Sequence, residues 1–194
     1  MINNMKIILA SKSPRRQEIL KHEGFTFDVR VSDFELDING KEYNDDLLLK
    51  CVIGKARNIL DKLQEKNYML IAADTVVVLD NKIIGKPKDR DDAMKILKNL
   101  SGKTHFVATG ISVVVNKDGK FKERSGIEKT FVTFRELTNV DINNYLDKSK
   151  PFDKAGAYGI QDGGFDFAEK VEGNLDNVIG FPMTLFNELY RNLF

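Results

Sequence analysis

The chain holds 194 residues, 42% of them hydrophobic and 30% charged, which supports one folded domain over 1–194 and excludes a disordered or fibrous chain. Basic and acidic residues balance at 30 against 29. No chain-wide positive field therefore draws a nucleic acid polymer, and phosphate chemistry must come from a local cluster of charge. Cys51 is the lone cysteine, and His22 and His105 are the two histidines. An internal disulfide and a four-thiolate metal site are excluded, and a zinc site is not expected. No apolar run approaches the roughly 18 residues of a membrane span, and Met1 to Leu9 lacks a signal-peptide pattern, so a reducing cytoplasm is the expected location.

In chain order, Lys6 to Ala10 reads as a short buried strand. Ser13-Pro14 then predicts a helix start, the serine hydroxyl as N-cap and proline in the first turn, with a stop at Gly24. Phe25 to Val31 alternates as a half-buried strand does, and Asp45 to Leu63 carries apolar residues at helical spacing. Met69 to Leu79 is a central strand interrupted by Asp74-Thr75, and Asp91 to Leu100 is a helix. Phe106 to Val115 and Lys120 to Phe134 predict two strands joined at Lys117-Asp118-Gly119. Leu137 to Leu146 is helical with Thr138 as cap, Asp153 to Gly164 a glycine-rich loop, Phe165 to Val171 a strand, and Pro182 to Leu193 a closing helix. Strands and helices intermix, so the class is α/β (mixed α+β) with a mixed sheet.

Three segments carry chemistry. Leu9 to Arg16 runs from a strand end into a helix start, where free N–H groups and the helix dipole favour an anion, and Lys12, Arg15 and Arg16 add cations. Cations at a helix N-terminus oppose the dipole, which makes an accidental cluster there unfavourable. Asp74 lies inside an apolar strand, where a carboxylate loses hydration unless a metal, a cation or several donors meet it. A structural ion pair would also satisfy it. Gly85-Lys86-Pro87 returns a lysine toward the same end of the sheet. In Asp153 to Gln161, Gly156 and Gly159 allow close approach of the backbone, and Gln161 offers a donor and an acceptor to a base edge. Glu35 and Lys55 read from the residues alone as solvated charges. Ser101 to Thr104 echoes the end of a P-loop, but Leu97 stands where a glycine is required and the strand–helix order is reversed, so it is a turn. His105 is read as structural.

Together these segments resemble the Maf family of nucleotide pyrophosphatases. The matches are Ala10-Ser-Lys-Ser-Pro-Arg-Arg16, Ala73-Asp-Thr75, Gly85-Lys-Pro87, Leu100-Ser-Gly-Lys-Thr-His105, Asp153-Lys-Ala-Gly-Ala-Tyr-Gly-Ile-Gln161 and Val178-Ile-Gly-Phe-Pro182. They stand in family order over nearly the whole chain. The resemblance implies an elongated mixed sheet with flanking helices, two lobes around a cleft, and kinship with inosine-triphosphate pyrophosphatases. It implies hydrolysis of a nucleoside triphosphate between the α- and β-phosphates with magnesium or manganese. The family's proton acceptor then falls on Asp74, which with Glu35 is also the candidate metal ligand; the two roles compete for one carboxylate, and the sequence leaves both open. Ser13, Arg15, Arg16, Lys55, Thr75, Lys86 and Gln161 bind substrate, with Arg15, Thr75 and Gln161 setting specificity. Arginine after Ser-Pro resembles the dTTP/UTP branch. Asp162 and Phe181 depart from the common family pattern. A homodimer is a family expectation, and hydrolysis of another or modified nucleotide, or nucleotide sensing in cell division through the family's link to septum formation, are the competing readings.

Overall fold

The computed structural model describes residues 5–193. Seven strands form one sheet: β1 (Lys6–Leu9), β2 (Asp28–Val29), β3 (Tyr68–Leu79), β4 (Lys82–Ile84), β5 (Thr104–Lys117), β6 (Lys120–Phe134) and β7 (Ala168–Glu172). The order is β2-β1-β3-β5-β6-β7, with β4 pairing β3 separately. β1 runs parallel to both β2 and β3, and the remaining pairings are antiparallel. The sheet is therefore mixed, as expected. Its helices are α1 (Pro14–His22), α2 (Asp45–Leu60), α3 (Arg90–Leu100), α4 (Asn139–Ser149), α5 (Leu175–Ile179) and α6 (Met183–Arg191).

Alternation along β3 divides the core. Met69, Ile71 and Ala73 on one face join Leu20 of α1 and Phe186 of α6, while Val77 and Leu79 on the same face join Leu97 of α3 and Ile142 of α4. On the opposite face Leu70 and Ala72 meet Ala56 and Ile59 of α2, and Val76 and Val78 meet Leu48 and Cys51 of the same helix. The adjacent strand β5 repeats the division, with Ile111, Val113 and Val115 in one cluster and Val107 in the other. Each face thus carries two apolar masses. Thr75 separates them on one face and Asp74 on the other, and Thr75 pairs across the ladder with Thr109. A polar seam crosses the middle of the sheet.

Several expectations shift at their edges. The expected strand 25–31 contracts to Asp28–Val29, because Phe25 and Phe27 pack on the core beside β1 while only two residues reach its edge. The helix expected to run to Leu63 ends at Leu60. The strand expected from Phe165 begins at Ala168, after a 3-10 turn over Gly164–Phe167 and beside a bulge at Thr133/Phe134. The glycine-rich loop contains two further 3-10 turns, Ala155–Ala157 and Ile160–Asp162. The Ser13 hydroxyl makes no capping bond. Instead the Ser13 N–H donates to Ser11 Oγ at 3.2 Å, so the serine two residues earlier closes the turn. Thr138 does cap α4, in a reciprocal box with Asp141.

Candidate active site

Pairing of β1 with β3 reaches Leu9↔Ile71, and β4 first pairs β3 at Val77. Between those limits one edge of β3 is left open. There β1 gives way to the turn into α1, and a cleft of about 390 Å3 forms outside the carboxyl end of the parallel strand. Ser13, Arg15, Arg16, Glu35, Lys55, Asp74, Thr75, Lys86 and Gln161 all line it, along with Lys12. Segments as far apart in the chain as Ala10 and Gly180 are thus brought to one cavity.

Asp74 is held in two ways. Lys55 Nζ on α2 lies 2.7 Å from Oδ2, and the Thr75 N–H donates to Oδ1 at 3.1 Å. Both side chains are about three-quarters covered, at 25% and 23% exposure, so the pair is less screened than a surface pair and still open to a ligand. This half-buried position resolves the ion-pair alternative as an actual contact. Lys55, unpromising from spacing alone, faces the carboxylate because β3 and α2 pack along the same face.

Arg16 is the frame of the turn. Its Nε donates to the Gly180 carbonyl, Nη1 to Ser11 Oγ and Nη2 to Thr75 Oγ1, each at 2.9 Å. Burial pulls its guanidinium below the ordinary value, Asp74 opposes that, and Arg15 adds to it. Arg15 reaches Asp153 at 3.2 Å, and Asp153 also meets Lys154, whose Nζ lies 3.0 Å from both Asp153 and Asp162. Partial burial raises the Asp153 carboxyl, but the two cations more than offset it and leave it below the usual range. The expected ring of cations is accordingly committed in part. Among the described residues Lys12 and Lys86 have no ion-pair partner, both are exposed, and the Gln161 side chain is exposed beside them.

The loop over 153–164 is set by close backbone packing. Gly156 adopts φ +70, donates its N–H to the Gly85 carbonyl at 3.0 Å, and sits where a Cβ would lie 2.8 Å from Val77. That contact ties Gln161's segment to the turn bearing Lys86. Tyr145 Oη accepts from the Gly159 N–H at 2.9 Å and steadies the other side. Glu35 is presented by an irregular segment that α2 anchors: Asn58 Oδ1 accepts from Ser32 Oγ and the Asp33 N–H, and the Phe34 ring occupies the space left by Gly54.

Sequence reasoning missed Ser11, Lys154, Tyr158 and Gly180 as cleft residues. Lys154 lay within a quoted motif, but its neighbours there are Asp153 and Ala155, and its burial at 8% exposure between Asp153 and Asp162 is a product of the fold. Gly180 contributes a carbonyl, and nothing in its residue type announces that. For a divalent cation, Asp74 and Glu35 are the carboxylates facing the cleft without being tied to Arg15 or Lys154. No group of three or more His, Cys, Asp or Glu is assembled among the described residues. Two carboxylates suit magnesium or manganese, which complete their shell with water and substrate phosphate oxygens.

A protein called "dTTP/UTP pyrophosphatase" from Thermoanaerobacter sp. (strain X514) is 44% identical over 188 residues, covering 96% of each chain. Another of the same description, from Acetivibrio thermocellus, is 42% identical over 193 residues, 97% of this chain and 95% of that one. Among solved structures, a nucleoside-triphosphatase / dITP/XTP pyrophosphatase from Mycobacterium abscessus matches with a TM-score of 0.41 and 14% identity over 69% of this chain and 76% of its own, a likeness too slight to rest anything on. The family described as "Maf-like protein" matches residues 6–193, and the chain belongs to it.

Proposed function

We propose that the protein hydrolyses nucleoside triphosphates, dTTP and UTP foremost, at the bond between the α- and β-phosphates, releasing the monophosphate and pyrophosphate. The observation that carries this reading is the half-buried Asp74–Lys55 pair facing the exposed Lys12 and Lys86 across one cleft. The full-length relatives described as dTTP/UTP pyrophosphatases supply the substrate class. The chain works as one domain, its two halves meeting at the polar seam.

The triphosphate lies along the cleft with its charge met by Lys86, Lys12 and Arg15 and by the two N–H groups of Arg16 that the fold leaves uncommitted. Asp74 and Glu35 would hold magnesium or manganese, which would polarise the phosphoryl group when bound. Water attacks the α-phosphorus in line with the α–β bridging oxygen. The new P–O bond forms as the bridging bond breaks, and the water's proton passes to Asp74. Lys55, 2.7 Å away, fixes that carboxylate in place before the proton arrives, and the remaining cations balance charge gathering on the departing pyrophosphate. Ser13 and Thr75 add polar contacts, and Arg15, Thr75 and Gln161 together choose the base.

A hydrolysis panel of dTTP, UTP, CTP and modified triphosphates, with and without magnesium or manganese, tests the reading when both products are identified. Release of orthophosphate, or nucleotide binding without turnover, would refute it. Asp74→Asn should lower kcat by roughly 10²–10⁴, the range for a positioned acid–base group, with the fold retained by circular dichroism. A homodimer rests on family resemblance, and a cytoplasmic location on the sequence pattern. No helix among the described residues is long and apolar enough to cross a membrane.

A further inference from the structure

We propose that Thr109 and Asn177 are positioning residues that fix the direction of the Thr75 hydroxyl, so that Thr75 offers the cleft a lone pair and no proton. Thr109 is fully buried. Its hydroxyl donates to the Asn177 carbonyl at 3.1 Å and lies 3.0 Å from Thr75 Oγ1. A hydroxyl has one proton. Since a carbonyl can only accept, Thr109 spends its proton on Asn177 and must accept from Thr75. Arg16 Nη2, which can only donate, reaches Thr75 Oγ1 from the other side at 2.9 Å. Protons therefore point one way along the row, Arg16 to Thr75 to Thr109 to Asn177. The row is anchored at its far end. Asn177 is 0% exposed, and its Nδ2 donates to the Val107 carbonyl at 2.9 Å and to Thr130 Oγ1 at 3.0 Å, which pins α5 with the Asn177 carbonyl facing Thr109.

The consequence falls on the ligand. With one bond accepted and its proton donated, Thr75 retains a single lone pair. Phosphate oxygens are acceptors and gain nothing from it, so the ligand group it favours is a donor. This part of the inference rests on the proposed hydrolysis of pyrimidine triphosphates. Uracil and thymine carry N3–H, a donor in the ring, whereas the cytosine N3 is an acceptor that would oppose the Thr75 lone pair. A site built to pair a ligand N–H discriminates more strongly than an apolar pocket does.

The test is the ratio of kcat/KM for UTP to that for CTP. In Thr109→Val the Thr75 proton loses its acceptor and becomes free to serve the cytosine N3. The UTP:CTP ratio should fall by about tenfold, the scale of one hydrogen-bond preference, while Thr109→Ser holds it within about twofold. A general loss of activity from loosened packing would lower both substrates together. An unchanged ratio in a folded Thr109→Val protein overturns the proposal, as it would if Thr75 met a sugar hydroxyl common to both. The direction of the row is read independently in the wild-type protein by proton NMR of the slowly exchanging threonine hydroxyls. The Thr109 hydroxyl proton should show its nuclear Overhauser contacts to Asn177, and contacts to Thr75 in their place would overturn the assignment even if Thr109→Val does not fold. Wild-type protein that releases no pyrophosphate from UTP counts against the proposed function, while leaving the NMR result to decide the row.

Discussion

Arg16 shows how one side chain can be both frame and ligand. Its planar fork joins the end of β1 at Ser11, the open stretch of β3 at Thr75, and the turn before α6 at Gly180. A lysine at this position brings one ammonium where three acceptors diverge, and cannot span them. Arg16→Lys should lower stability by about 2 kcal/mol, since at least one buried acceptor is left unpaired. It should also misplace Thr75, lowering kcat/KM beyond what the folded fraction explains. Urea titration gives the first and initial rates well below the unfolding midpoint give the second. Stability and kcat/KM both at wild-type levels would show that the three bonds carry no weight. Arg15 contrasts with it. One exposed carboxylate, Asp153, holds it, and a surface pair of that kind contributes little to folding, so Arg15 is free to exchange Asp153 for a ligand.

Among the elements, legibility followed local chemistry. The hairpin between β5 and β6 was readable because Asp118-Gly119 is a strong type I′ signal, and both residues do take positive φ. The hairpin between β3 and β4 uses the same geometry at Asp80-Asn81; the return of the chain before Gly85-Lys86-Pro87 was legible, but without glycine in the turn the strand of only three residues passed unread. Helix α5 has five residues, too few to show a period, although it carries the buried Asn177. The three segments that carry chemistry were legible because each places charge or glycine against an apolar run. Thr109 was not, since a threonine inside a β-branched strand looks like any other strand residue, and only the cross-strand pairing with Thr75 exposes its role. Gly156 is the element-scale point to test. Gly156→Ala forces an L side chain into a left-handed conformation and drives its Cβ toward Val77. The expected loss is about 2 kcal/mol or more, together with a raised KM as the loop bearing Gln161 lifts from the Lys86 turn. Thermal melts and KM for dTTP check both, and a variant with altered stability but unchanged KM would separate the loop from substrate binding.

At the scale of the whole molecule, a buried histidine packed against a residue of the cleft wall makes stability respond to acid. His105, the second residue of β5, lies edge-on to Phe134 and Tyr158, with Nε2 at 2.8 Å from Tyr158 Oη, and Tyr158 in turn lines the cleft. Burial pushes its imidazole down from 6.5 to about 4. Between those values the unfolded chain binds a proton that the folded protein refuses, so the folded state is favoured increasingly as pH rises through the window. The contribution is complete above 6.5 and is lost as pH falls from 6.5 toward 4, amounting to roughly 3 kcal/mol at 1.36 kcal/mol per unit. Carboxylates held low by cations act in a different range. Glu65, lowered to about 2 by Arg30 and its neighbours from 4.5, and Asp141, lowered chiefly by Arg135 from 3.8, protonate in the unfolded chain only near or below those ordinary values. Glu128, whose carboxyl burial raises from 4.5, acts with the opposite sign and favours folding as pH falls, so a decline in stability between 6.5 and about 5 is the histidine's. Chemical denaturation of the wild-type protein at pH 7, 6 and 5 should show stability falling, with the decline steepening below pH 6.5, while His105→Gln, which does not titrate, should be nearly flat over the same range. Parallel declines in the two proteins would place the acid sensitivity elsewhere in the fold.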